Sequence, residues 1–235
     1  MSSAKPSDAG SDLTARARIR DAAIECFGQN GFGVTVRAIA EEAGVSPGLV
    51  IHHFGSKERL REACDDHVLG LINELKQETI TSHDSQTFLH QLATMEEHTP
   101  LLAYLFRSVQ TGGAFAVSFY ERMVADVERY LAAGEAAGTI RPSRDPARRA
   151  RYLAANSVGA MLLQVALHPP GERTDFARLM REWSREYTLP ALELYTEGLL
   201  TERTMLDAYL LYVSDPPRKP ADSSPPPEPR TEGPP

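Results

Sequence analysis

The stretch TVRAIAEEAGVSPGLVIHHFGSKERL, Thr35 to Leu60, decides the architecture of this chain. Thr35 is a good N-cap, and Val36, Ile39, Ala40 and Ala43 after it fall at the spacing of one helix face. Gly44 sits where the chain must reverse sharply, and Ser46 then caps a second short helix with Pro47 in its first turn, where a missing N–H costs nothing. Phe54-Gly55 closes that helix and Ser56 caps a third. Val45, Val50 and Phe54 are placed to point back against Ile39, Ala40 and the preceding helix. Two short capped helices joined by a tight turn describe a helix-turn-helix, whose second helix can lie in a DNA major groove. Two ordinary helices of a bundle are the competing reading, but helices this short each bury little area.

Working outward, Ile19, Ala22, Ala23, Cys26 and Phe27 make an amphipathic helix that stops at Asn30-Gly31. Downstream, Leu60, Ala63, Cys64, His67, Val68, Leu71, Ile72 and Leu75 line one side of a long helix over about 56–80. Helical periodicity continues over roughly 84–98, 101–111, 114–138, 145–168, 175–199 and 201–213, and almost nothing alternates like a strand. Pro190 should kink or split its segment. The expected fold is all-α.

The chain has 235 residues, 42% of them hydrophobic and 24% charged, with a net charge of -7, which suits a globular chain and argues against coating nucleic acid by bulk charge. A specific DNA reader needs only a local patch of donors. No apolar run is long enough for a membrane span and no signal peptide is visible, so a cytoplasmic protein without a membrane partner is expected. Cys26 and Cys64 read as buried reduced thiols rather than a redox pair. Residues 1–12 and the Pro-rich 215–235 read as disordered, the tail as a solubilising appendage or a docking segment.

Thr35–Leu60 also resembles the DNA-binding signature of the tetracycline-repressor (TetR) family, which shows T-x-x-x-I-A-x-x-A-G-V-S, a short recognition helix ending in an aromatic, and S-K-E. The likeness reaches back through Phe27 and Gly31-Phe32 and covers roughly residues 14–72. It implies a helix-turn-helix domain over 13–73, a ligand-binding and dimerisation domain over 74–214, and a homodimeric regulator released from a palindromic double-stranded DNA site by a small-molecule effector. By position, Thr35, Arg37, Ser46, Pro47, Gly48, Leu49, Ile51, His52, His53 and Lys57 are the candidate DNA-facing residues. Arg37 could read a base or clamp a phosphate; Gly48 would let the DNA approach; Leu49 could meet a thymine methyl; Lys57 would anchor a phosphate. Ile51 stands where the family usually has a tyrosine and His53 where another aromatic is common, so Ile51 is either an apolar base contact or simple packing.

A dimer face is expected on two late helices, with Ala155 and Gly159 as a small-xxx-small pair and Leu189, Leu192, Leu194 and Tyr195 beyond, although intramolecular core would look similar. Candidate effector contacts are Tyr104, Phe119, Met123, Asn156, Met161, Gln164 and Trp183, a set equally at home in a plain core. No phosphate loop, serine elbow or helically spaced histidine pair with a carboxylate is present. The expectation is therefore a non-enzyme without metal or cofactor, the rivals being an unrecognised enzyme or a helical adaptor docking through its tail.

Overall fold

The computed structural model describes residues 8–167 and 175–214. The N-terminal seven residues, the Pro-rich tail and the Pro169-Pro170-Gly171 corner lie outside them. Ten α-helices follow one another: α1 (Asp8–Asn30), α2 (Val36–Glu42), α3 (Pro47–Phe54), α4 (Lys57–Thr81), α5 (Ser85–Ala93), α6 (Thr99–Gln110), α7 (Gly113–Ala137), α8 (Pro146–Leu167), α9 (Phe176–Thr196) and α10 (Thr204–Ser214). A 3₁₀ turn, Met95–His98, precedes α6. No strand occurs among the described residues, as the helical periodicity predicts.

Three readings differ from expectation, the first being the helix over 84–98, which ends at Ala93 and is followed by the separate 3₁₀ turn Met95–His98. Helix α1 begins at Asp8, so residues 8–12 join the helix instead of preceding it. Pro190 does not split its segment, since α9 runs on to Thr196, although one compact unit, ending at Thr188, gives way to a second just before that proline.

Within the first unit one continuous core runs from Ile19 and Phe27 through Ile39, Val50 and Leu60 to Phe119, Val127 and Ala154. The helix-turn-helix and the helices after it therefore share packed side chains across residues 73–74. Cys26 and Cys64 are both buried free thiols within this core. Burial pushes the Cys64 thiol pKa up, which keeps it protonated and unreactive. A smaller cluster joins Ala103 and Phe106 to Phe176, Leu179 and Met180.

Two close approaches fix the helix packing. A Cβ on Gly28 in α1 would stand 3.1 Å from both Ala103 Cβ and Tyr104 N in α6. On Gly134 in α7 it would meet Ile80 Cγ2 at 2.4 Å and Ile140 Cγ1 at 2.5 Å, well inside contact distance. Thr139 reinforces the second junction by donating its hydroxyl to the Ile80 carbonyl.

The second unit, from Leu189, carries the end of α9 and all of α10. Leu189, Leu199, Met205, Tyr209 and Leu211 are all exposed, an apolar load unusual for a free surface.

Replacing Gly134 with Ala should overpack the α4–α7 junction and lower stability by about 1–3 kcal/mol, read as a reduced denaturation midpoint with the m-value unchanged.

Candidate DNA interface and effector cavity

Three caps shape the DNA-facing end. Thr35 accepts from Ala38 N, Ser46 from Leu49 N and Ser56 from Arg59 N, each at 3.2 Å, so α2, α3 and α4 all begin where the sequence places their caps. Between α2 and α3, Gly44 adopts φ +64, a left-handed turn that glycine enters without steric cost. Ile39, Ala40, Val50 and Phe54 are buried beneath the motif. Thr35, Arg37, Ser46, Pro47, Gly48, Ile51 and His52 remain exposed.

Arg37 makes no hydrogen bond or ion pair among the described residues, leaving its guanidinium available on the surface. Ile51, 44% exposed, is a surface side chain and not internal packing. Leu49 is half-buried and packs on the core, which limits its reach. His53 is half-buried and stacks edge-on with both His52 and Phe54. Lys57 is occupied: its ammonium donates to the Phe32 carbonyl at 2.7 Å and braces the loop before α2. Around Gly48 only Ser46 Oγ lies within 4 Å of where a Cβ would stand, so the space above it is empty.

Behind this surface, α1, α4 and α6 are locked by polar groups inside the core. Tyr104 donates its hydroxyl to Asp65 Oδ1 at 2.6 Å. Arg61 lies between two rings, with Cζ 3.4 Å from the Phe32 centroid and 3.2 Å from that of Phe115. Arg107 of α6 donates to the carbonyls of Gly28 and Gln29 at the end of α1. Burial raises the Asp65 pKa, opposed by the Tyr104 hydrogen bond and by Arg61 and Arg122. Burial also lowers that of Arg61.

Farther along α4 opens a cavity of about 280 Å³, walled by α4, α5, α6, α7, α8 and α9. That volume lies near the lower end of the ~300–1,000 Å³ typical of ligand sites. Its wall is mostly apolar, with Leu69, Phe88, Met95, Leu105 and Val127 among the contributors. Of the residues expected to meet an effector, Met123, Met161 and Trp183 line it. Tyr104 and Phe119 instead sit in the shared core, Tyr104 held there by Asp65. Asn156 is exposed on α8. Gln164 is buried and donates to Glu186 Oε2 at 2.9 Å.

Sequence reasoning missed the polar groups that α4 gives the wall, Asn73, Lys76 and Thr79, because all three lie on the long helix read only for its apolar side. Lys76 has no hydrogen bond or ion pair among the described residues. Its side chain keeps accessible surface, as a group facing open space does, yet desolvation alone holds its pKa below the usual lysine value. Asn73 Oδ1 and Trp183 Nε1 are buried without partners in the same wall. An unpaired buried group of this kind costs roughly 1–3 kcal/mol. A second depression, beside α2, is open to solvent and lined by Cys26, Asn30, Glu41 and Glu42, a shallow acidic groove unsuited to an apolar ligand.

A capped helix-turn-helix fused through one core to a cavity-bearing helical body defines a DNA-binding regulator. Residues 19–64 match the model of bacterial regulatory proteins of the tetR family, and residues 96–201 that of the tetracyclin repressor-like C-terminal domain. The chain is 52% identical over 199 residues to the HTH-type transcriptional regulatory protein RaaS of Mycobacterium tuberculosis, covering 85% of this chain and 93% of that one. It is 48% identical over 61 residues to the HTH-type transcriptional regulator BetI of Brucella anthropi, covering 26% of this chain and 31% of BetI. Among solved structures, one described as the molecular basis for control of antibiotic production by bacterial hormones aligns with a TM-score of 0.53 and 26% identity over 75% of this chain and 95% of that one. The chain belongs to the TetR family and is a helix-turn-helix transcriptional regulator.

Two outcomes test this geometry. Because the folded state holds the Asp65 proton more tightly than the unfolded chain does, this group's contribution to stability falls as pH rises from the ordinary carboxylate range through the raised value. Asp65→Asn, whose carbonyl can still accept from Tyr104, should remove that fall and raise stability at neutral pH in urea titrations. Gly48→Ala should leave the free protein as stable or about 0.5–1 kcal/mol more so. The same change should weaken operator binding if DNA backbone approaches that point, as a mobility-shift titration would read.

Proposed function

We propose that the protein is a homodimeric repressor acting in the cytoplasm, holding a palindromic DNA site and leaving it when a small molecule fills the cavity. The observation that carries this reading is α4. Its first turns, with Leu60 and Cys64, support the helix-turn-helix, and its later turns, with Leu69, Ile72 and Asn73, wall the cavity. A ligand that fits better when α4 is tilted would change the separation of two recognition helices, by as much as its differential affinity for the two shapes allows.

One helix-turn-helix spans few base pairs, so two copies on half-sites about one helical turn apart are needed for a firm grip. Tyr152, Leu163 and Leu167 on α8 are exposed, as are Ala155 and Gly159. In the second unit Leu189, Leu192, Leu194 and Tyr195 are exposed too. A second copy covering these faces would account for both. Arg37 and the exposed edge of α3, with Ser46, Pro47, Gly48 and His52, would meet the DNA, while Lys57 would act mainly by bracing the loop at Phe32. A non-enzymatic role fits this arrangement better than catalysis or an adaptor function.

Footprinting of the purified protein over genomic fragments should reveal a two-fold symmetric protected site occupied by two chains, with salt-sensitive affinity. Arg37→Ala should weaken binding there by about 1–3 kcal/mol and relax the preference at one base pair per half-site if the guanidinium reads guanine. A uniform loss across sequences would make Arg37 a phosphate contact. Absence of any selective protection would overturn the reading.

A further inference from the structure

The cavity is apolar over most of its wall, yet it carries a lysine with nothing to pair with. Lys76 and Asn73 stand one helical turn apart on α4 and therefore share the face that lines it. The other titratable groups in the wall are His98, Asp126 and Tyr130. Asp126 is already ion-paired with Arg129 on its own helix, so it does not neutralise Lys76. The uncompensated charge of the cavity is therefore positive. Trp183 Nε1, buried and unpartnered in the same wall, adds an N–H donor for an anionic ligand group, whereas the unpartnered Asn73 Oδ1 can only accept. Lys76 lines this wall with its side chain still accessible, so an ammonium without a counter-charge is open to a ligand group there.

We propose that the cavity receives a mainly apolar small molecule bearing one anionic group, a carboxylate, and that Lys76 pairs with that group inside the protein. Desolvation by the surrounding wall lowers the Lys76 pKa, and an arriving carboxylate would supply the counter-charge that the wall does not. A neutral ligand of the same shape gains only the apolar contacts, and a cationic one meets like charge. The inference deepens the effector reading of this cavity and rests on it, but it concerns binding and can be tested without DNA.

Trp183 is the only tryptophan of the chain and lines the cavity, so its fluorescence reports occupancy directly. Dodecanoate, dodecanol and dodecylammonium, each kept below its aggregation limit, would be titrated against the full-length protein and against Lys76→Met and Lys76→Arg. The wild type should bind dodecanoate at least about tenfold more tightly than dodecanol, as expected for a charge-assisted contact. Lys76→Met should erase that preference while leaving dodecanol affinity within about twofold, and Lys76→Arg should keep the preference. Methionine preserves the apolar stem, and a thermal melt of each variant confirms folding. Failure of the wild type to bind dodecanoate, equal affinity for acid and alcohol, or a preference that survives Lys76→Met would each overturn the proposal. Release of the footprinted DNA is read separately. Acid bound through Lys76 without DNA release would count against the effector reading alone, and release that persists undiminished in Lys76→Met would count against the role of Lys76 alone.

Discussion

The hydrogen bond from Tyr104 to Asp65 is the contact on which the arrangement of the first unit turns. It joins α6 to α4 inside the core, at the level where Arg61 lies between the rings of Phe32 and Phe115. Phe32 in turn offers its carbonyl to Lys57 at the start of α4. One connected set of groups thus runs from the loop before α2 to the helices that wall the cavity. A helix of 25 residues carries the connection, and a long helix transmits tilt because its backbone bonds resist local bending.

Such a junction is not the arrangement that maximises stability. A buried carboxylate and a buried guanidinium are each desolvated, and a well-packed apolar cluster of similar volume is often at least as stable. Burial raises the pKa of Asp65 and lowers that of Arg61, the directions in which such a cost acts. What polar groups provide is directionality: a hydrogen bond at 2.6 Å tolerates few alternative registers of α4 against α6, whereas apolar side chains can slide. For a protein read as switching between two shapes, a joint with few allowed positions is more useful than a stronger but looser one.

The same logic separates the candidate DNA surface from the cavity. On the candidate DNA surface Arg37 and the edge of α3 are exposed, and their environment is water. In the cavity Lys76 stands among mostly apolar walls, where the proposed carboxylate would meet a positive charge that has no partner among the described residues.

Much of the first region was legible in the primary structure. Caps at Thr35, Ser46 and Ser56, the turn at Gly44 and the buried set Ile39, Val50 and Phe54 depend on neighbours a few residues away, and local spacing encodes them. The all-helical fold followed from the same spacing, and the family from the resemblance of Thr35–Leu60 to its DNA-binding signature. The cavity was not legible to that degree. Met123, Met161 and Trp183 were nameable as aromatic or thioether groups on helices, but Tyr104 and Phe119 look no different in the chain and lie in solid core. Whether a side chain faces a void or a neighbour depends on how six helices from distant parts of the chain come together. Lys76 makes the point most sharply: on a helix of mixed polarity a lysine reads as a solvated residue, and only the packing of α5, α7 and α9 around α4 sets it in the wall of a mostly apolar cavity.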